Sequence, residues 1–161
     1  MEQSKQTYKS FSDKWQQNKT LAFSETLRDG ATFFDWILTR NGFSHPKGFS
    51  QYLSSKRHIL DAGCGNGRVT ALLHSYAHSE ANLVGIDLTS AEVAKENLSH
   101  LDRVSVSQKD LLGDLSDLGT FDFIYCQEVL HHTTDPKQAF LNLCSRLDQG
   151  GEIAIYVYKK K

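Results

Sequence analysis

His58-Ile59-Leu60-Asp61-Ala62-Gly63-Cys64-Gly65-Asn66-Gly67-Arg68 is the stretch that decides the fold. Its first five residues read as a short strand, and the segment after Gly67 carries Val69, Leu72, Leu73, Tyr76 and Ala77 at helical spacing. Strand and helix are therefore joined by a turn with glycine at every second position. Glycine lets the backbone turn sharply and approach a ligand, and the free N–H groups of a helix start favour an anionic group. A tight turn with no ligand is the alternative. The dinucleotide fingerprint G-x-G-x-x-G is not met, because the third glycine falls one residue early.

Working outward, apolar runs at Leu83 to Asp87, Val104 to Ser107, Phe121 to Cys126 and Glu152 to Tyr158 read as further strands. Helical patterns separate them. Thr89-Ser90-Ala91-Glu92 has capping-box spacing ahead of Val93 and Leu98, and Asp135-Pro136 opens a helix expected to bury Phe140, Leu141, Cys144 and Leu147. Only Leu111 to Leu118 has no clear pattern. Strand and helix in alternation predict an α/β fold with a parallel sheet and helices on both faces. Before Lys56 the reading is helical: a polar arm or short helix through residue 19, anchored by Tyr8, Phe11 and Trp15, then Thr20 to Arg40 interrupted at Gly30 and stopped by Asn41-Gly42. A helical turn over Phe49 to Leu53 follows. The organisation is one compact domain, with residues 1–55 as an N-terminal helical segment or lid and 56–161 as the core.

The strand ends carry the polar groups. Asp87 can accept both hydroxyls of a ribose, or cap the next helix. Leu88 can lie against an adenine face or simply pack. Asp110 can take an exocyclic amine, with the Leu111 N–H beside it meeting a ring nitrogen, or be an ordinary turn aspartate. His131 and His132 stand where an imidazole could deprotonate an acceptor, or where one caps a turn and the other packs. Trp15, Trp36 and Phe33-Phe34 are read as core packing, with a lid or acceptor wall as the alternative.

Together these features resemble the class I S-adenosylmethionine-dependent methyltransferases, particularly the group that includes the ubiquinone and menaquinone biosynthesis enzymes. The resemblance covers about Arg57 to Tyr158. Ile59 to Gly67 is similar to the first motif of that family, Val84-Gly85-Ile86-Asp87-Leu88 to the second, Gln108-Lys109-Asp110-Leu111 to the adenine motif, and Phe121 to His132 to the fourth-strand motif. The resemblance implies a Rossmann-like three-layer sandwich of strand order 3-2-1-4-5. It also implies S-adenosylmethionine as cofactor, with Asp61, Gly63, Cys64, Gly65 and Gln127 on the methionine part, Asp87 on the ribose, and Leu88, Asp110 and Leu111 around the adenine. The acceptor would enter near Glu128 to His132.

The family's C-terminal antiparallel hairpin is missing, since the chain reaches Lys159-Lys160-Lys161 directly after the fifth strand. The sequence therefore reads as a family member cut short there, with a complete cofactor site and an incomplete acceptor site. Ile153, Ile155 and Val157 alternate with Ala154, Tyr156 and Tyr158, so both faces of this strand are apolar and its edge is guarded only by the lysines. Association as a homodimer through that edge, or its cover by the N-terminal segment, is the expectation. Two other functions stand beside methyl transfer. A cofactor-binding module without turnover fits the short C-terminus, and a nicotinamide oxidoreductase fits the ribose acid but not the glycine turn.

The formal charge is −1, from 18 basic and 19 acidic residues, so no overall field favours nucleic acid, and a small-molecule acceptor is expected. Cys64, Cys126 and Cys144 lack metal or redox spacing, and the histidines form no metal pair. No apolar run approaches a membrane span, no signal peptide is visible, and a cytoplasmic, membrane-free protein is expected.

Overall fold

A computed structural model describes residues 2–158; the side chain of Tyr8 and the terminal lysines lie outside the described residues. Five strands, β1 (His58–Ala62), β2 (Asn82–Asp87), β3 (Val104–Gln108), β4 (Phe121–Gln127) and β5 (Leu147–Tyr156), form one sheet of order β3-β2-β1-β4-β5. Every pairing is parallel. The carboxyl ends of all five strands therefore open on the same side, and the order reverses between β1 and β4. In such sheets that reversal leaves a crevice where ligands bind.

Seven α-helices accompany the sheet among the described residues: α1 (Glu2–Gln17), α2 (Phe23–Leu27), α3 (Thr32–Arg40), α4 (Pro46–Leu53), α5 (Arg68–Tyr76), α6 (Ala91–Leu98) and α7 (Pro136–Cys144). Alternation along the strands splits the core between two faces. Ile59, Leu83 and Phe123 pack with Phe34 and Leu38 of α3, Phe49 and Leu53 of α4, and Leu72 and Leu73 of α5. On the other face Leu60, Ile86 and Ile124 meet Ala139 and Leu143 of α7. A smaller group, Cys64, Ala71, Ala94 and Leu98, joins α5 to α6.

Several local expectations are corrected. Residues 2–17 form a full helix; this segment does not extend the sheet beside β5, whose outer edge is unpaired among the described residues. The expected interruption at Gly30 is present, dividing α2 from α3, but the first piece starts at Phe23 and not at Thr20. The expected turn at Phe49 is an eight-residue helix starting at Pro46, with His45 Nδ1 accepting the Gly48 N–H. The last helix stops at Cys144 and buries Ala139 and Leu143, leaving Leu141 48% exposed, because Leu147 already belongs to β5 and pairs with Phe121. A register irregularity between Phe121 and Phe123 absorbs the intervening Asp148 to Gly151, which hides this pairing from a period-2 reading. Ile155 on this edge strand and Val157 just beyond it are exposed.

The turn after β1 shows why glycine is required there. Gly63 has φ +84, and a Cβ on it would lie 2.3 Å from Val129 Cγ2. Gly42, just past α3, has φ +81 but open space around the same position. Gly42→Ala therefore pays only for the left-handed backbone, about 1 kcal/mol, whereas Gly63→Ala adds overpacking and should cost about 3 kcal/mol in total. Chemical denaturation of the two variants checks the difference.

Candidate active site

A cavity of about 600 Å³ opens at the carboxyl ends of the strands. Its size is that of a small-molecule site. Asp61 (β1), Asp87 (β2), Asp110 (after β3) and Gln127 (β4) all stand on its wall, with Gly63, Cys64, Gly65, Leu88 and Leu111. The structure thus gathers every residue to which the family resemblance gave a cofactor contact.

The acids have distinct settings. Asp87 Oδ1 accepts from Thr89 N at 2.8 Å, Thr89 Oγ1 at 3.1 Å, Ser90 N at 2.9 Å and Ser90 Oγ at 2.8 Å. Its Oδ2 accepts only the Gly65 N–H, at 3.0 Å. The expected capping box does not form: Ser90 is the N-cap but makes no side-chain cap bond, and Asp87 gathers the amides instead. Capping and ligand contact are not alternatives for this residue, since they use different oxygens. Asp61 is buried beneath the turn, with Thr70 Oγ1 donating to Oδ2 at 2.6 Å. Burial pushes its pKa up to about 7, Thr70 opposes the rise, and the neighbouring Asp87 adds to it. Asp110 is exposed and accepts the Leu112 N–H at 2.9 Å. Cys64 is buried, and desolvation raises its thiol well above the ordinary range, so it packs as a thiol.

Gln127 is fixed from both sides. Its Nε2 donates to Asn41 Oδ1, and its Oε1 accepts from the Tyr125 hydroxyl at 2.9 Å. His132 is exposed on the cavity wall, edge-on to Phe11 of α1 with ring centroids 4.8 Å apart. His131 is not on that wall; it stacks between His132 at 4.1 Å and Tyr158 at 4.6 Å, and neither ring nitrogen has a partner. Desolvation lowers both imidazole pKa values, against the opposing pull of Glu128. Of the two, only His132 is placed to meet a ligand.

Further residues complete the cavity wall. Trp15 and Trp36 line the wall, contrary to the core-packing reading, whereas Phe34 is fully buried. Arg40, Arg68 and Glu128 also line it. Arg68 NH1 donates to Thr26 Oγ1 at 2.9 Å, tying the turn to α2. Asn66 is fully buried and donates to the Lys19 and Leu21 carbonyls, both at 3.1 Å, which fastens the N-terminal segment to the glycine turn. A buried amide within a glycine run was the available signal for Asn66, Glu128 lies in the fourth-strand motif, and Trp15 and Trp36 had the wall as their alternative reading; Arg40 and Arg68 belong to no motif.

A doubly wound sheet with a glycine turn, a strand-end acid and a cavity at the strand reversal defines the class of nucleotide-type ligand binders. The chain belongs to the methyltransferase domain family, which it matches over residues 53–160. It is 32% identical over 102 residues to a ubiquinone biosynthesis O-methyltransferase of Colwellia psychrerythraea, covering 61% of this chain and 40% of that protein. A Synechococcus protein of undescribed activity is 39% identical over 106 residues, covering 62% of this chain and 25% of its own length. Among solved structures, the N-methyltransferase NodS of Bradyrhizobium japonicum, in complex with S-adenosyl-L-homocysteine, superposes with TM-score 0.57 at 22% identity, over 86% of this chain and 72% of that one. The chain thus spans less than half the length of these curated relatives. Among the described residues no helix is long and apolar enough to cross a membrane, and no cluster of ligand side chains could hold a metal.

The Asp61 shift has a measurable consequence. Its folded pKa, about 7, lies above the model-peptide value of 3.8, so between these values the folded state binds more protons than the unfolded state. Stability then falls as pH rises from about 4 to 7, and this loss is complete above 7. Asp61→Asn, which keeps an acceptor for Thr70, should abolish this slope and raise the melting temperature at pH 8. Thermal unfolding across that pH range reads both effects.

Proposed function

We propose that this cavity binds S-adenosylmethionine and that the protein transfers its methyl group to a small-molecule acceptor. The observation that carries the proposal is the row of polar groups across neighbouring strand ends: Asp110, Asp87, Asp61 and Gln127 follow the strand order β3-β2-β1-β4 along one wall. Adenine, ribose, methionine and the reacting end would fall in that sequence. The family match and the S-adenosyl-L-homocysteine held by NodS support the same cofactor. The residues present fit it. Asp87 Oδ2 has room for ribose hydroxyls, Asp61 offers a carboxylate to the methionine ammonium, and Leu88, 41% exposed, offers an apolar face to the base. A Cβ at Gly65 would stand 3.0 Å from the Trp15 ring, so only glycine keeps that space open.

When bound, the sulfonium supplies a methyl group already activated for in-line displacement. The protein's part is then alignment and exclusion of water. Tyr125 and Asn41 hold Gln127 in one orientation beside the reacting end, and α1 closes over the cavity with Phe11 and Trp15. His132, whose imidazole desolvation holds below its ordinary pKa, is the available base for a hydroxyl or amine acceptor. Binding without turnover is the second reading, and product formation decides between the two.

Calorimetry with S-adenosylmethionine tests the cofactor assignment. An ammonium favours ionised Asp61, so affinity should fall roughly tenfold from pH 7.5 to 6. Asp61→Asn should bind weakly with a flat profile. Absence of binding across the range would overturn the proposal, and mass spectrometry of acceptor mixtures for methylated products separates turnover from binding alone.

A further inference from the structure

The far end of the cavity holds a buried cation with an unused donor. Arg40 closes α3, and its side chain is only 8% exposed. Its guanidinium carbon lies 3.3 Å from the centroid of the Trp36 ring and 3.7 Å from that of Tyr156. Both faces are covered, and what remains is the edge of the fork that carries the N–H groups. The nearest acid is Glu128, whose Oε1 is 3.4 Å from NH1. That exceeds the 2.7–2.9 Å of a formed charge-assisted bond. The same Oε1 already accepts the Tyr158 hydroxyl, and Arg40 NH2 is buried with no partner. Arg40 lines the cavity while its NH2 is buried and idle, an incomplete interaction that an anion entering beside the guanidinium edge completes.

Position along the sheet says which ligand brings that anion. The proposed cofactor contacts lie at the ends of β3, β2, β1 and β4, in that order. Arg40 contacts Tyr156 at the end of β5 and Glu128 just beyond β4. Neighbouring strands are about 4.8 Å apart, so the β5 end stands roughly 10 Å beyond β1. The methionine end of the cofactor has Arg68, which directly follows the glycine turn. The anion at Arg40 therefore belongs to the acceptor. Glu128 nearby opposes a second negative charge, which favours a singly charged, planar group.

We infer that the acceptor carries a carboxylate that binds Arg40 edge-on between Trp36 and Tyr156. This deepens the methyl-transfer reading and rests on it. The carboxylate selects and orients the acceptor, and Glu128 moderates its affinity.

The test uses matched carboxylic acids and amides, from acetate through benzoate to octanoate, titrated by ligand-observed NMR with and without S-adenosylhomocysteine. The wild-type protein should prefer at least one acid over its amide. Arg40→Gln should reduce that acid's affinity about tenfold while leaving S-adenosylhomocysteine affinity unchanged. Arg40→Lys, with circular dichroism as a folding control, should retain part of the preference. Glu128→Gln should strengthen acid binding, a change of sign that general damage does not produce. The inference is overturned if no acid is preferred, if the preference survives Arg40→Gln, or if Arg40→Gln instead weakens S-adenosylhomocysteine, which would give Arg40 to the cofactor. Failure of the cofactor reading itself shows separately, as no binding of S-adenosylhomocysteine to the wild-type protein.

Discussion

The carboxylate of Asp87 is the constraint on which the rest of the site depends. One side chain at the end of β2 accepts hydrogen bonds from the turn after β1 and from both residues that open α6. Breaking it would release the glycine turn and the α6 start together. The Ile86 carbonyl beside it accepts from Gly63 N at 2.7 Å and Cys64 N at 3.0 Å, so the turn hangs from the end of β2 through backbone and side chain alike. Hydrogen bonds to a charged group are worth about 1.5–3 kcal/mol each, which makes this anchor strong enough to hold three left-handed glycines in register. The glycines are permissive; the aspartate selects the conformation they adopt.

The site is divided electrostatically along the sheet. At β1 a buried acid is held near neutrality of charge by desolvation, and at β5 a buried cation is clamped by aromatic rings without a completed ion pair. Both arrangements cost folding stability, and neither serves the core, which already has packed faces on both sides of the sheet. Such costs concentrate at sites where a ligand repays them. Glu128 has a left-handed backbone, φ 63, unusual for a residue with a side chain, and this bend directs the chain from the end of β4 into the region of the two histidines.

Much of the fold was legible because alternation of short apolar runs with amphipathic segments has few solutions. Strands β1 to β4 lie within one residue of their expected bounds, and strand order follows from the family resemblance. The failures have physical reasons. In α7 the buried positions include Ala139, a weak apolar signal, whereas Leu141 is large, apolar and exposed. β5 begins early because its irregular pairing with β4 runs through Gly150 and Gly151, residues that read as a stop. In the site, residues at strand ends were visible because each terminates a recognisable run. Arg40 was not, and its pairing with Glu128, a residue already expected near the acceptor entrance, is made by tertiary packing of α3 against the sheet and leaves no mark in local spacing. The histidine pair illustrates the intermediate case: the sequence places both near the cavity, but only the backbone decides that one faces it.

The chain has two tryptophans, and both line the cavity. Trp15 lies against the glycine turn, with Lys14 4.6 Å from its ring, and Trp36 covers Arg40 at the opposite end. All indole emission of this protein therefore originates at the site. A cation against an indole face perturbs its excited state, so the two ends of the cavity carry separate optical reporters already built into the polypeptide. Replacing either ring by phenylalanine leaves a single emitter, and the order in which the two ends fill becomes a spectroscopic observable without any attached dye.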